Sequence, residues 1–183
     1  MKTVKFTAIA LAAILSAVAI PALAQVMVGG APMYSNKDII DNAVNSNDHT
    51  TLVAAVKAAG LVPTLKSAGP FTVFAPTNEA FAALPAGTVD TLLKPENKPA
   101  LTKVLTYHVV AGKMDSAALM KAVDAGGGKA TLTEVSGGTL VATKSGTLIM
   151  LSDESGGMAH VTIPDVVQSN GVIHVVDKVL LPK

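Results

Sequence analysis

Phe71-Thr72-Val73-Phe74-Ala75-Pro76-Thr77-Asn78-Glu79-Ala80-Phe81 is the stretch on which the fold turns. Residues 71–74 are strand formers, and Ala75-Pro76 ends the run. Thr77 or Asn78 then caps a helix that presents Ala80, Phe81 and Leu84 to the interior before Pro85. Phe71, Val73 and Phe81 are expected to be buried, at about 1.5–3 kcal/mol for each large side chain fully removed from water. A cap that accepts backbone N–H groups adds ~1 kcal/mol at the corner. The whole stretch, Phe74 included, therefore has a structural explanation that requires no ligand.

On the N-terminal side, residues 25–37 form a lead segment without periodicity, set apart from a domain over 38–183. Ser35 or Asn36 is expected to cap a helix with Asp38 in its first turn and Ile39, Ile40, Ala43 and Val44 on one side. A second helix follows Asn47-Asp48, with Leu52, Val53, Val56 and Ala59 at helical spacing, and Gly60 stops it. Pro63 and Ser67-Ala68-Gly69-Pro70 read as a turn. On the C-terminal side, helices are predicted over Thr88–Leu93, Pro99–Tyr107 and from Asp115 or Ser116 to Val123. Val109-Val110 leads into a Gly112 turn. Gly126-Gly127-Gly128 reads as a flexible link. Beyond it, strands are predicted over Ala130–Val135, Thr139–Thr143, Thr147–Leu151, Val161–Val167, Val172–Val176 and Val179–Leu181, with glycine-bearing turns between. Asn170-Gly171 is the strongest hairpin signal. Helices first and strands later, within one domain, make the fold class α+β.

The N-terminus reads as an export signal. Lys2 and Lys5 precede an uncharged run from Phe6 to Ile20, and Ala22-Leu23-Ala24 offers a cleavage site before Gln25. That run falls short of the ~20 residues that cross a bilayer comfortably, so an integral membrane protein is not expected. Removing 24 of 183 residues leaves 159 with a formal charge of −1, from 13 acids and 12 of the 14 lysines. Near-neutral charge and the absence of arginine argue against nucleic acid. With no tryptophan and few aromatics there is no stacking platform for sugars or bases. With no cysteine, burial alone must hold an exported chain together.

Three stretches in register resemble the fasciclin-like domain family. The first is Phe71 to Phe81, quoted above. The second is the pair Tyr107-His108. The third is Ser169-Asn170-Gly171-Val172-Ile173-His174-Val175-Val176-Asp177-Lys178-Val179-Leu180-Leu181-Pro182. The match covers roughly Asp38 to Pro182. The resemblance implies a wedge or sandwich of β-strands with helices clustered on one side. It also implies a periplasmic or secreted protein used in adhesion, matrix or surface contacts, and it looks like the single-domain bacterial members. In animal relatives, residues near the Tyr-His pair and an Asp-Ile pair before the last stretch are implicated in integrin binding. Here Asp165-Val166 takes the second place, and an Arg-Gly-Asp motif is impossible, so integrin is a poor expectation. Tyr107, His108, Asp165 and Val166 are the candidate partner-binding residues.

Chemical sites are sparse. His108, at a helix-to-strand junction, must find partners for both nitrogens whether it is structural or ligand-binding. His174 alternates with Ile173 and Val175 and is expected on the opposite face. His49, His108, His160 and His174 form no metal-ligand spacing, and no phosphate loop or Gly-x-Ser-x-Gly elbow occurs. Asp153-Glu154 reads as a solvated turn, with calcium only a remote alternative. No cofactor and no metal are expected. The sequence thus favours a non-enzymatic, monomeric module that binds a cell-surface or matrix protein, a polysaccharide or a lipid-like ligand. The alternative is a hydrolase or small-molecule carrier with a pocket between helices and strands.

Overall fold

The computed structural model describes residues 25–183, and the expected signal segment, residues 1–24, lies outside them. From Gln25 the chain makes a small hairpin, β1 (Met27–Val28) and β2 (Ala31–Pro32), turned by Gly29 and Gly30 at positive φ. Val28, Ala31 and Met33 are buried, so this aperiodic segment packs into the core. Asp38 caps α1 (Ile39–Ala43) by accepting the Asp41 N–H at 2.9 Å, in place of the expected Ser35 or Asn36. One 3-10 turn leads into α2 (Thr50–Ala59), which Gly60 closes in the left-handed conformation. The bond from Leu61 N to the Val56 carbonyl completes that cap. The region around Pro63 is not a simple turn. It forms α3 (Val62–Lys66), because proline in a first turn forfeits no helical hydrogen bond.

Strand β3 (Phe71–Pro76) runs straight into α4 (Asn78–Ala82), with Thr77 Oγ1 accepting the Ala80 N–H at 3.2 Å. Two helices follow, α5 (Thr88–Leu92) and α6 (Lys98–Tyr107), and then β4 (Val109–Ala111). Asp115 caps α7 (Ser116–Ala125). The remaining strands are β5 (Lys129–Thr133), β6 (Thr139–Ser145), β7 (Leu148–Ser152), β8 (Met158–Gln168) and β9 (Gly171–Val176).

Seven strands make one mixed sheet in the order β4-β3-β9-β8-β7-β6-β5. The helix-rich half of the chain thus contributes two of them, with β3 parallel to β9 and paired from Phe71–Gly171 to Pro76–Val176. The ends approach each other through the Val110–Glu134 bridge and the Val135 N–H on the Val109 carbonyl, which brings the sheet close to a barrel. Along β5, β6 and β7 buried and exposed residues alternate, so one face meets water. β9 is buried at every position because both of its faces are covered. One core lies between the helices and the outer side of β3 and β9, holding Val73, Ile173, Val175 and the apolar stripes of α2 and α6. The other fills the barrel with Phe74, Leu140, Leu151 and Val176, and α7 supplies Leu119 and Val123, one turn apart and fully buried.

Three local expectations change, and a fourth holds in an unexpected setting. Phe71 is only half-buried, and Phe74, with no exposed surface, is the anchor of its strand. Gly126-Gly127-Gly128 is no flexible link. The Gly128 N–H bonds the Val123 carbonyl at 2.8 Å, and a side chain at Gly126 would meet the Lys129 carbonyl oxygen at 1.9 Å. Val179–Leu181 is not a strand, because side chains take the N–H groups of Leu180 and Leu181. His174 does lie opposite Ile173 and Val175, but that face is the barrel interior and the ring is fully buried.

The tight turn between β8 and β9 is Ser169-Asn170, one residue earlier than the expected Asn170-Gly171, because Gly171 already pairs with Gln168 as the first residue of β9. A Cβ on Gly171 would lie 2.1 Å from the Phe71 carbonyl oxygen, and both groups are backbone of paired strands. Gly171→Ala is expected to cost about 1–3 kcal/mol, seen as a lower urea midpoint at unchanged slope. An unchanged midpoint would show that β3 and the turn are not held this closely.

Candidate functional site

α6 ends at Tyr107 and hands the chain to β4 through His108, and both side chains point inward. The Tyr107 hydroxyl donates to the Thr139 carbonyl at 2.7 Å and accepts the Glu154 N–H at 3.1 Å. One phenol therefore ties the start of β6 to the β7–β8 turn. Burial raises its pKa, with the Glu154 N–H opposing. Tyr107→Phe strands the Thr139 carbonyl and the Glu154 N–H together, and is expected to cost about 1–3 kcal/mol. The same variant should speed amide exchange at Glu154. Wild-type stability with wild-type exchange would contradict this role.

The Leu180 N–H donates to His108 Nε2 at 2.9 Å, so Nε2 carries no proton and Nδ1–H donates to the Val104 carbonyl at 2.8 Å. Burial pushes the His108 pKa down to about 4, and the ring is neutral at physiological pH. Asp153 holds the next residue. Its Oδ2 accepts the Leu181 N–H at 2.9 Å, while Oδ1 accepts those of Ser155 and Gly157. Glu154 Oε1 accepts the N–H and hydroxyl of Thr139, which hold its carboxyl below the ordinary range. The expected solvated turn at Asp153-Glu154 is thus a clamp on β6 and on the C-terminal segment.

Asp165 sits in a bulge of β8 at φ 60°, a left-handed conformation for a residue with a side chain. Its carboxylate accepts the Ser116 N–H at 2.6 Å and the Ser116 hydroxyl, gripping the first turn of α7. Its own N–H reaches His174 Nδ1 at 3.3 Å, which leaves Nε2–H to donate to the Met114 carbonyl at 2.8 Å. Burial lowers the His174 pKa. Thr72 completes the grip by bonding Gly112 and Met114. Val166, beside Asp165, is buried in the helix-side core. The four candidate contact residues thus fall into two hydrogen-bonded groups. Phe74 lies between them, giving its N–H to the His108 carbonyl and stacking on His174 at 5.6 Å between centroids.

The remaining motif residues are joints. Asn78 Oδ1 accepts the Thr51 N–H at 3.0 Å, capping α2 rather than its own helix, and its amide donates to the Asn47 carbonyl. Asn170 accepts from Ile39 N and donates to the Leu65 and Ser67 carbonyls, so the hairpin turn fastens α1 and α3. Phe81 packs in the helix-side core.

Residues not singled out from sequence include Asn42 and Gln168, both buried and bonded to each other, which lock the backbone of Tyr34 in place. Glu134 is also buried. Its Oε2 accepts from Ser136, and its Oε1 lies unpartnered against the space that Gly138 leaves open beside Tyr107. The spacing Glu-x-Ser-Gly-Gly is the signal that could have exposed that turn. Among the described residues no group of three or more histidines and carboxylates is placed to hold a metal ion, and no helix is long and apolar enough to cross a membrane. An apolar cavity of about 30 Å³ lies between α1, α2 and β3, lined by Ile40, Leu52, Val56, Phe74 and Leu105. Ligand pockets for drug-sized molecules run to roughly 300–1,000 Å³.

Comparison with known proteins agrees with this geometry. The fasciclin domain model matches residues 47–182. Protein sll1483 of Synechocystis is 48% identical over 157 residues, covering 85% of this chain and 79% of that protein. Immunogenic protein MPB70 of Mycobacterium bovis is 36% identical, covering 97% and 93%. Transforming growth factor-beta-induced protein ig-h3 of Sus scrofa is 35% identical over 144 residues, 79% of this chain but only 19% of that protein. The solved FAS1 domain pair of the insect cell adhesion molecule fasciclin I superposes with a TM-score of 0.70 at 17% identity, and the chain spans about half of it, 51%. Signature stretches, α+β near-barrel and relatives of matching length lead to one conclusion: this chain belongs to the fasciclin domain family.

Proposed function

We propose that the domain is an exported, non-enzymatic binding module that contacts a cell-surface or matrix component, whether protein, polysaccharide or lipid-like. One observation carries this reading. The polar atoms of Tyr107, His108, Asp165 and His174 are occupied in hydrogen bonds within the domain, most of them to main-chain groups of loops, helices and strand ends. Such residues preorganise an outer surface, and preorganisation lowers the entropic cost of binding. The contact surface in this reading is the segments held by Tyr107, His108 and the Asp165-Val166 bulge. Its adhesive character is drawn by analogy from the cell adhesion molecule that shares the fold. The working form is a monomer that starts at Gln25 after removal of a signal peptide.

The test is a pulldown with residues 25–183 as bait against fractionated envelope and matrix material. A reproducible partner is expected, together with an exported product whose intact mass begins at Gln25. Absence of a partner from every fraction would overturn the reading.

A further inference from the structure

The outer face of β5–β8 carries a run of β-branched residues, among them Thr131, Val141, Thr143 and Thr162, as an open sheet face favours. Two methionines interrupt that pattern beside the one histidine that faces out. Met150 on β7 is the cross-strand partner of His160 on β8. Met158 pairs with Ser152, so it lies diagonal to Met150 and two residues before His160 on the same face. Direct cross-strand partners bring their Cβ atoms to about 4.5–5.5 Å, and diagonal neighbours lie at about 7–8 Å. Unbranched thioether side chains span such gaps readily. Met158 is 52% exposed, and neither core cluster includes either methionine.

His160 is already oriented. Its Nδ1 bonds Asp177 Oδ2 at 2.9 Å, and Asp177 Oδ1 accepts the His160 N–H at 2.7 Å. Nε2 has no hydrogen-bond partner among the described residues, and the side chain is 42% exposed. A carboxylate on one imidazole nitrogen with the other left open is the arrangement that fixes a metal-ligating histidine. Two thioethers and an imidazole form a soft donor set, which selects monovalent copper over zinc, magnesium or calcium.

From this juxtaposition we propose that Met150, Met158 and His160 form a surface site for Cu(I), with Asp177 as the positioning residue. The site is independent of the adhesive surface and stands or falls separately from it. The sequence pattern hides it, because the ligands are 8 and 2 residues apart on two strands and match no histidine or cysteine motif.

The test is anaerobic competition for Cu(I) against bicinchoninate, using residues 25–183, with Ag(I) as a redox-inert second probe. One equivalent should be withdrawn from the chelator. Addition of Ag(I) should shift the Met150 and Met158 methyl resonances and leave Met33 in place. The paired change Met150→Leu and Met158→Leu should weaken binding by at least about 100-fold, and Asp177→Asn by about 10–100-fold. Met27→Leu, at another exposed methionine, should change nothing. All four positions are at least partly exposed, and circular dichroism confirms that each variant is folded. Failure to withdraw Cu(I), or undiminished affinity in the double leucine variant, would overturn the site. So would equal retention of Zn(II).

Discussion

Asn170→Ala is expected to lower the stability of the domain by about 3–4 kcal/mol, at a position that by sequence is only a hairpin turn. Asn170 is 9% exposed, and its carboxamide makes three bonds, from Ile39 N at 3.1 Å and to the carbonyls of Leu65 and Ser67 at 2.7 and 3.0 Å. Each net hydrogen bond contributes about 0.5–1.5 kcal/mol, and a buried group left unpaired costs about 1–3 kcal/mol. Alanine removes all three bonds and strands groups on two helices. Turn geometry itself survives the change, so the loss reads on helix docking. Urea unfolding measures the total, and faster amide exchange at Ile39 localises it. A loss below about 1 kcal/mol would mean that α1 and α3 dock without Asn170.

Acid is the second large lever. His108 has a folded pKa of about 4, against about 6.5 in the unfolded chain. Between those values the unfolded state takes up a proton that the native state refuses. Stability is therefore full above pH 6.5 and falls as pH drops toward 4, by about 3 kcal/mol from this residue alone. His49 and His174 are also buried, with lowered pKa values and both ring nitrogens engaged, and they push the same way. The unfolding midpoint should fall steeply over that window. His108→Gln offers a non-titrating acceptor to Leu180, so it should be weaker than wild type at pH 7.5 yet show a flatter profile. A profile as steep as wild type would remove His108 as the source.

The sequence carried the local chemistry of this fold well and its long-range pairing poorly. Thr77 as a cap and the helix ending at Tyr107 follow from short-range propensity, which needs only neighbours, whereas the turn expected at Asn170-Gly171 lies one residue earlier. The alternation of Ala130-Leu132, Leu140-Ala142 and Ile149-Leu151 was equally readable, because one-sided burial imposes a period of two. The parallel pairing of β3 with β9 was not, since two apolar runs a hundred residues apart carry no register in themselves. That unread pairing explains the further misses. Phe74 rather than Phe71 anchors its strand because β3 is covered on both faces. Val179–Leu181 leaves the ladder because His108 and Asp153, distant in sequence, take its N–H groups. Asp165 was by sequence a candidate contact residue, and only the bulge in β8 shows its carboxylate turned onto Ser116.

The central claim is that the signature residues shape a surface that binds. It is tested most directly by the binding isotherm of fluorescently labelled residues 25–183 on intact cells and isolated envelope, for wild type and Tyr107→Phe. Both proteins are first shown to be folded at the assay temperature. Saturable wild-type binding, weakened in the variant as the β6 and β7–β8 segments loosen, is the predicted result. Wild-type protein that binds no surface at any concentration would contradict the account.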